Sequence, residues 1–313
     1  MAQDPAAGDM AGTDTTPAPY EPRRVEVVAI FGPTASGKSV VAEAVADLLG
    51  TEVVSADAMQ VYRDLPILTN QPERSTRLVA IRSLAEEMSV GAFASLAHEA
   101  IDELVREKGR AVVAGGTGLY LRAALADLGV PPAPDPAHRA RIEAEVDRDR
   151  AAAHARLASL DAATAMVVHP NDRQRLVRAL ELADTGRSLT TRPNGLWDNA
   201  TRRPTAIVGL DVPPDTLEQR IRSRAEAMFA RGVVDEVRAA LAGPVSRTAE
   251  KTLGLREIAE LETGAALERI VVRTRRYATY QRKWMRRIPG ITLVDGTRDA
   301  AVVARDVVAL AQR

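Results

Sequence analysis

VEVVAIFGPTASGKSVVAEAVADLL, Val25 to Leu49, decides the fold. Its centre, Gly32 to Ser39, follows G-x-x-x-x-G-K-[ST] without exception. An apolar run, Val25–Phe31, precedes it, and a helical pattern, Val40–Leu49, follows. A phosphate-gripping loop needs that strand–loop–helix setting. Gly32 and Gly37 permit backbone angles that a side chain forbids, so the amides of Gly32, Pro33, Thr34, Ala35, Ser36, Gly37, Lys38 and Ser39 are placed around an anion nest, proline excepted for want of an N–H. Lys38 is expected to reach the outer phosphates and Ser39 to ligate Mg²⁺. The motif does not choose between ATP and a diphosphate ester.

Working outward, strand-like runs recur at Glu52–Ala56, Ala111–Ala114, Thr205–Leu210 and Ile291–Val294. Helical patterns alternate with them at Phe93–Glu107, Leu217–Arg231 and Thr263–Arg287. The alternation predicts an α/β fold, a P-loop NTPase-like core with a parallel sheet flanked by helices. It breaks at the proline-rich GVPPAPDP, Gly129 to Pro136. From Ala137 to Ala183 the pattern reads helix, loop, helix, and strand character returns at Thr205. We therefore expect a core made of 25–127 and 201–313, interrupted by a helical insertion over 128–200 that serves as a lid. Residues 1–24 lack both an apolar stretch and a basic start, and they read as a disordered tail rather than a secretion signal.

Composition bounds the chemistry. The 313 residues carry no cysteine, which removes disulfides, zinc–thiolate sites and thiol nucleophiles and suits a reducing, cytoplasmic setting. Net charge is zero, so any surface for a polyanion must be local. No run of apolar residues is long enough to span a membrane. No interface stripe stands out, so a monomer is expected.

Four further segments carry candidate chemistry. Asp57 follows the second strand, at the sheet edge where ligands of α/β proteins bind; it can hold a metal, take a proton from a nucleophile, or merely cap a helix. GGTGLY, Gly115 to Tyr120, follows the third strand; its glycines would let a ligand approach the backbone and Thr117 offers a hydroxyl, or the motif is simply a turn and helix cap. No carboxylate closes that strand, which weighs against ATP hydrolysis. HPNDRQRLVRALEL, His169 to Leu182, places Arg175 and Arg178 on one face, as solvated charges or as contacts to a nucleic acid backbone. Arg269 to Arg287, RIVVRTRRYATYQRKWMRR, contains no acid and interleaves Tyr277, Tyr280 and Trp284 on one helical side. Such a helix can grip phosphates and stack on bases, or pack its aromatics on the core.

Together GPTASGKS, SADAMQVYR, GGTGLYLRA, HPNDRQRLVRALEL with TGRSLT, RIRSRAEAMFARGVVDEV, TLGLREI and TRRYATYQRKW resemble the tRNA dimethylallyltransferases. The resemblance implies transfer of a dimethylallyl group from dimethylallyl diphosphate to N6 of the adenosine beside the anticodon (adenosine 37), with diphosphate released and Mg²⁺ as cofactor. It makes Asp57 the general base, with Thr34, Lys38 and Arg224 serving the diphosphate; Arg220 is the weaker choice for that last role. It places tRNA contacts on Asp57, Ala58, Met59 and Gln60, on Thr117 and Arg139, on Gln174, Arg175 and Arg178, on Lys251 and Arg256, and on Gln281, Arg282, Lys283, Trp284 and Arg286. The partners implied are dimethylallyl diphosphate and a tRNA anticodon stem-loop. The chain departs from the family pattern at Thr76–Glu87, at Ile67–Pro72, at Leu255 and at Thr279-Tyr280. A P-loop kinase of a small metabolite, a prenyltransferase acting on free adenine nucleotide and a non-catalytic RNA binder are the rival readings. The kinase leaves the basic–aromatic helix unexplained.

Overall fold

The computed structural model describes residues 24–129, 135–190 and 198–312; the proposed tail, apart from Arg24, and most of the proline-rich joint lie outside them. Five parallel strands form one sheet in the order β2-β3-β1-β4-β5. They are β1 (Val27–Phe31), β2 (Val53–Ser55), β3 (Ala111–Gly115), β4 (Thr205–Asp211) and β5 (Ile291–Asp295). β1 lies at the centre, between β3 and β4. Every residue of VVAIF is buried, the continuous apolar run expected of a strand covered on both faces.

The alternation of side chains along β1 divides the core in two. Val28 and Ile30 face α1 (Lys38–Leu49) and α12 (Ala300–Leu310) through Val41, Val45, Val303 and Val307. Val27, Ala29 and Phe31 face the larger cluster. That cluster gathers α2 (Val90–Lys108), α3 (Gly118–Leu125), α8 (Pro214–Ala230), α9 (Val233–Ala240), α10 (Leu255–Glu260) and α11 (Thr263–Met285). From β1 the chain crosses to β2 in one direction with α1 on one face; from β4 it crosses to β5 in the other, with α8 and α11 on the opposite face. Right-handed crossovers require that change of face. The reversal also puts the carboxyl ends of β1, β2 and β3 side by side at a switch point, the usual place for a ligand crevice.

Among the described residues between α3 and β4 lie four helices rather than a helix–loop–helix: α4 (Pro136–Arg148), α5 (Arg150–Leu160), α6 (Ala162–Val167) and α7 (Arg173–Ala183). Aspartates make the extra breaks. Asp149 ends α4 and accepts from the amides of Ala151 and Ala152 to start α5. Asp161 does the same for α6 through Thr164. The helices share an apolar cluster that includes Ile142, Val146, Leu157, Leu176 and Leu180. The chain returning from them is tied to the core by the fully buried Arg122, which donates to the carbonyls of Asp198 (2.8 Å) and Ala200 (3.2 Å).

The helical pattern expected at Phe93 begins earlier, at Val90, because Ser89 accepts the Ala92 amide as an N-cap. The basic helix ends at Met285, not Arg287. No helix among the described residues is long and apolar enough to cross a membrane.

Candidate active site

The P-loop turns sharply between β1 and α1. Gly37 has φ +86° and Ala35 has φ +63°. The second is a left-handed position costing an alanine about 1 kcal/mol or more, which the surrounding packing must offset. Within the loop, Ser36 is buried and its Oγ has no hydrogen-bond partner among the described residues.

α11 holds this loop. The Thr34 amide donates to Gln281 Oε1 at 2.8 Å, and Gln281 Nε2 donates to the Gly116 carbonyl at 2.8 Å. Gln281 is 3% exposed. A Cβ on Gly116 would lie 2.4 Å from Gln281 Nε2, and one on Gly118 would lie 2.2 Å from the Trp284 ring. Gly116 and Gly118 therefore admit α11 against the sheet edge, and Gly115 admits the chain at Ala56. The close approach expected of these glycines is made here by the protein's own chain, and the turn leads directly into α3. The three aromatics of α11 also part company. Trp284 packs on Gly118, Tyr277 lines a cavity, and Tyr280 stands 55% exposed, edge-on to Trp284 at 6.4 Å.

That cavity, about 570 Å³, opens from Thr34, Lys38 and Ser39 past Asp57. Its volume falls within the range of small-molecule sites. One wall is apolar, formed by Leu68, Ile221, Ala225, Met228, Leu253 and Ile270. On the polar side Arg224, from α8, donates to Thr34 Oγ1 at 3.0 Å. Burial lowers the Lys38 ammonium from 10.5 to about 8; Asp57 opposes the shift and Arg224 adds to it. Burial likewise lowers Arg224 from its ordinary value, with Asp57 opposing. Two desolvated cations thus line one cavity, with Asp57 as the carboxylate they sense. Such a site is short of negative charge. Arg220 turns elsewhere, toward the Gly296 carbonyl at 3.5 Å.

Asp57 stands two residues beyond β2. Its Oδ1 accepts the Met59 amide at 2.9 Å, so it caps a turn and no α-helix starts there. Ala58 is buried, Met59 Sδ accepts from the Thr252 hydroxyl at 3.2 Å, and Gln60 accepts from Ser55 Oγ (2.9 Å) and donates to Asn70 O (3.0 Å). Glu236 adds a brace by accepting the amides of Ile67 (2.7 Å) and Leu68 (2.8 Å). The irregular segment after β2 is thus tied down at Asp57, Met59, Gln60, Ile67 and Leu68.

A smaller crevice joins Lys38, Ser39, Glu43, Ser55, Asp57 and Gln60. No group of three or more histidine, cysteine or carboxylate side chains that could hold a metal occurs among the described residues. The oxygens available, with a hydroxyl at Ser39, suit a hard cation that takes few protein ligands and completes its shell with phosphate and water.

The remaining residues divide by location. Thr117 and Lys251 line the cavity beside Asp57, Ala58, Met59, Gln60 and Gln281. Arg256 lies outside it, paired with Glu250 and Glu260. Arg282 approaches Asp211 at 3.4 Å, while Lys283 and Arg286 are exposed with no ion pair among the described residues. On the α4–α7 unit Arg139 and Arg178 both bind the buried Glu181, at 3.1 Å each; Arg175 lies 3.5 Å from Asp172, and Gln174 is exposed. Arg247 bridges this unit to the core through Glu143 at 2.7 Å.

Sequence reasoning missed the apolar wall and the clamp made by Gln281. A signal existed for one wall of the cavity. Ile270, Arg273, Thr274, Tyr277 and Gln281 all line it, at a helical period along α11.

The residues from 60 to 288 match the family model described as IPP transferase; the P-loop and Asp57 fall just before that match. A tRNA dimethylallyltransferase of Anaeromyxobacter sp. (strain K) is 40% identical over 296 residues, covering 90% of this chain and 97% of the relative. One of Streptomyces coelicolor is 37% identical over 312 residues, covering 95% and 98%. Among solved structures, the full-length tRNA isopentenylpyrophosphate transferase of Bacillus halodurans is similar with a TM-score of 0.64 at 28% identity, covering 91% of this chain and 96% of that one. A eukaryotic dimethylallyltransferase solved in crystallographic snapshots of its action on tRNA gives 0.73 at 26% identity, covering 87% and 74%. Coverage of this extent, from the sheet edge through α11, means that the chain belongs to the IPP transferase family.

Proposed function

We propose that this enzyme transfers a dimethylallyl group from dimethylallyl diphosphate to N6 of the adenosine beside the anticodon of tRNA. One observation carries the reading: two desolvated cations, Lys38 and Arg224, line the same cavity as a group of apolar side chains that includes Leu68, Ile221, Met228 and Ile270. A diphosphate attached to a short hydrocarbon matches both sets of side chains at once. A kinase of a polar metabolite has no use for the wall formed by Leu68, Ile221, Met228 and Ile270.

The mechanism follows from placement. The diphosphate lies on the P-loop amides, beside Lys38 and Arg224. The Thr34 hydroxyl accepts from Arg224, so its own hydrogen is free for a phosphate oxygen. The N6 lone pair attacks the allylic carbon, the carbon–oxygen bond breaks, and its electrons leave on diphosphate. Negative charge grows there as the bond lengthens, and fixed cations already in place stabilise it without reorganisation. Asp57 takes the N6 proton; the Met59 amide holds one of its oxygens and leaves the other for the amine. Ser39 would hold Mg²⁺, which supplies further neutralisation of the leaving group when bound.

Arg282, Lys283, Arg286 and Lys251 are read as contacts to the tRNA backbone, and the target base is taken out of its stack to reach Asp57. The α4–α7 unit, within 128–200, is read as a lid facing the stem-loop. Gln174 and Arg175 are its readiest contacts. Arg139 and Arg178 are already engaged by Glu181 and would act by shaping that surface.

Incubation with unmodified tRNA, labelled dimethylallyl diphosphate and Mg²⁺, followed by nucleoside analysis, tests the proposal. Label appears in N6-alkylated adenosine; label in any other nucleoside, or none, overturns it.

A further inference from the structure

Thr117 occupies the N-cap position of α3, where a threonine normally accepts an amide of the first turn, yet its side chain makes no capping bond. Its hydroxyl lies 3.1 Å from the hydroxyl of Tyr277 on α11. Both residues line the cavity together with Asp57. A cap has been given up to make a pair of hydroxyls facing the same space as the carboxylate.

Two hydroxyls bonded to each other hold two protons, and the bond between them uses one. Whichever is the donor, one proton remains to be given to a ligand. The pair therefore always presents a donor to the cavity. It stays a donor at every physiological pH, because burial and then Asp57 push the Tyr277 phenol up to about 12, outweighing the opposing hydrogen bonds from Thr117 and Gln281.

Adenine presents an N–H donor at its amino group and hydrogen-bond acceptors at the ring nitrogens on either side, N1 and N7. A carboxylate that accepts from the amine, next to a fixed donor that satisfies a flanking ring nitrogen, matches that edge. Guanine puts an oxygen where the carboxylate needs an N–H and makes N1 a donor, so the same pair rejects it. A site built to hydrogen-bond a substrate discriminates by leaving its own buried group unpaired when the partner is absent.

We infer that the Thr117–Tyr277 hydroxyl pair positions the acceptor base, donating to a ring nitrogen beside the reacting amine and so helping Asp57 select adenine. The inference rests on the proposed transfer to adenosine and goes beyond it in assigning Tyr277 a specificity role.

The test uses anticodon stem-loops of one sequence with adenosine, 1-deazaadenosine or 7-deazaadenosine at the acceptor position. Transfer is measured for the unsubstituted protein, for Tyr277→Phe and for Thr117→Val, with thermal unfolding and diphosphate-donor KM recorded for each. We expect the unsubstituted protein to lose about tenfold in kcat/KM on one deaza acceptor, the worth of one hydrogen bond. The variant that removes the hydroxyl facing the base, Tyr277→Phe or Thr117→Val, should lose about that factor on adenosine and nothing further on that analogue, with donor KM unchanged. Comparing protein forms on each acceptor cancels the altered reactivity of the deaza amines. Thr117→Val repeats the test if Tyr277→Phe unfolds. An equal penalty on all three acceptors in both variants, or none on any, overturns the assignment of the pair. No transfer by the unsubstituted protein to the adenosine stem-loop overturns instead the reading on which it rests.

Discussion

Gln281 binds Thr34: its Oε1 accepts the Thr34 amide at 2.8 Å while its Nε2 donates to the Gly116 carbonyl at 2.8 Å. One buried amide thereby fastens the long basic helix to both loops of the sheet edge. Family resemblance places Gln281 among contacts to tRNA; its hydrogen bonds go to this clamp.

Gln281→Leu leaves the Thr34 N–H and the Gly116 carbonyl without their partner. Each unsatisfied buried group costs about 1–3 kcal/mol. The expected outcome is a lower urea midpoint with unchanged slope and a weaker donor KM, because the loop that holds the diphosphate is no longer fixed. A variant as stable as the unsubstituted protein would remove the clamp from the account.

Asp57→Ala is expected to bind tRNA almost as before and to lose about 10²–10⁴-fold in kcat, the usual worth of a positioned proton acceptor. Filter binding and single-turnover transfer separate the two. Comparable turnover in the variant would remove Asp57 from the mechanism.

The lowered Lys38 pKa sets a pH dependence with a definite sign. Between about 8 in the folded chain and 10.5, the ordinary value for an exposed lysine, the unfolded chain binds the extra proton. The stability of the ligand-free protein therefore rises with pH across that window as far as this group is concerned. Donor binding runs the other way, because the diphosphate favours the ammonium form; donor KM should climb once pH passes about 8. Lys38→Met abolishes this contribution to the stability slope, read by urea denaturation below and within the window.

Neutralising Arg282, Lys283 and Arg286 together should weaken tRNA binding and flatten its dependence on salt. The slope changes by roughly 0.7 to 0.9 for each phosphate that the helix no longer neutralises. Lys283 and Arg286 should account for most of the change, since Arg282 already lies 3.4 Å from Asp211. An unchanged slope in a salt titration would sink the polyanion reading of this helix.

Much of the fold was legible because it depends on local pattern. The buried runs that became β1, β3 and β4 carry their own signal, and GPTASGKS fixes the first turn. Asp57 was legible as a site because it directly follows a strand. The apolar wall was not, since Leu68, Ile221 and Ile270 come from three distant segments that only packing joins. The four-way division of the 136–183 helices was missed because Asp149 and Asp161 read as ordinary polar residues until their side chains were seen accepting amides. The purpose of Gly116 and Gly118 could not be read at all: a glycine records that something comes close but not what.

Those two glycines bear on how the sequence can change over time. A methyl group at position 116 would collide with Gln281 and one at 118 with Trp284, at 2.4 and 2.2 Å. Neither position gains a side chain without a shift of its neighbour, the end of the Gln281 side chain at 116 and the rigid Trp284 ring at 118. At 118 a substitution is accommodated most readily when Trp284 shrinks with it; at 116 it costs the Gln281 clamp. Two stretches 165 positions apart, by the separation of Gly116 and Gln281, thus constrain each other's change.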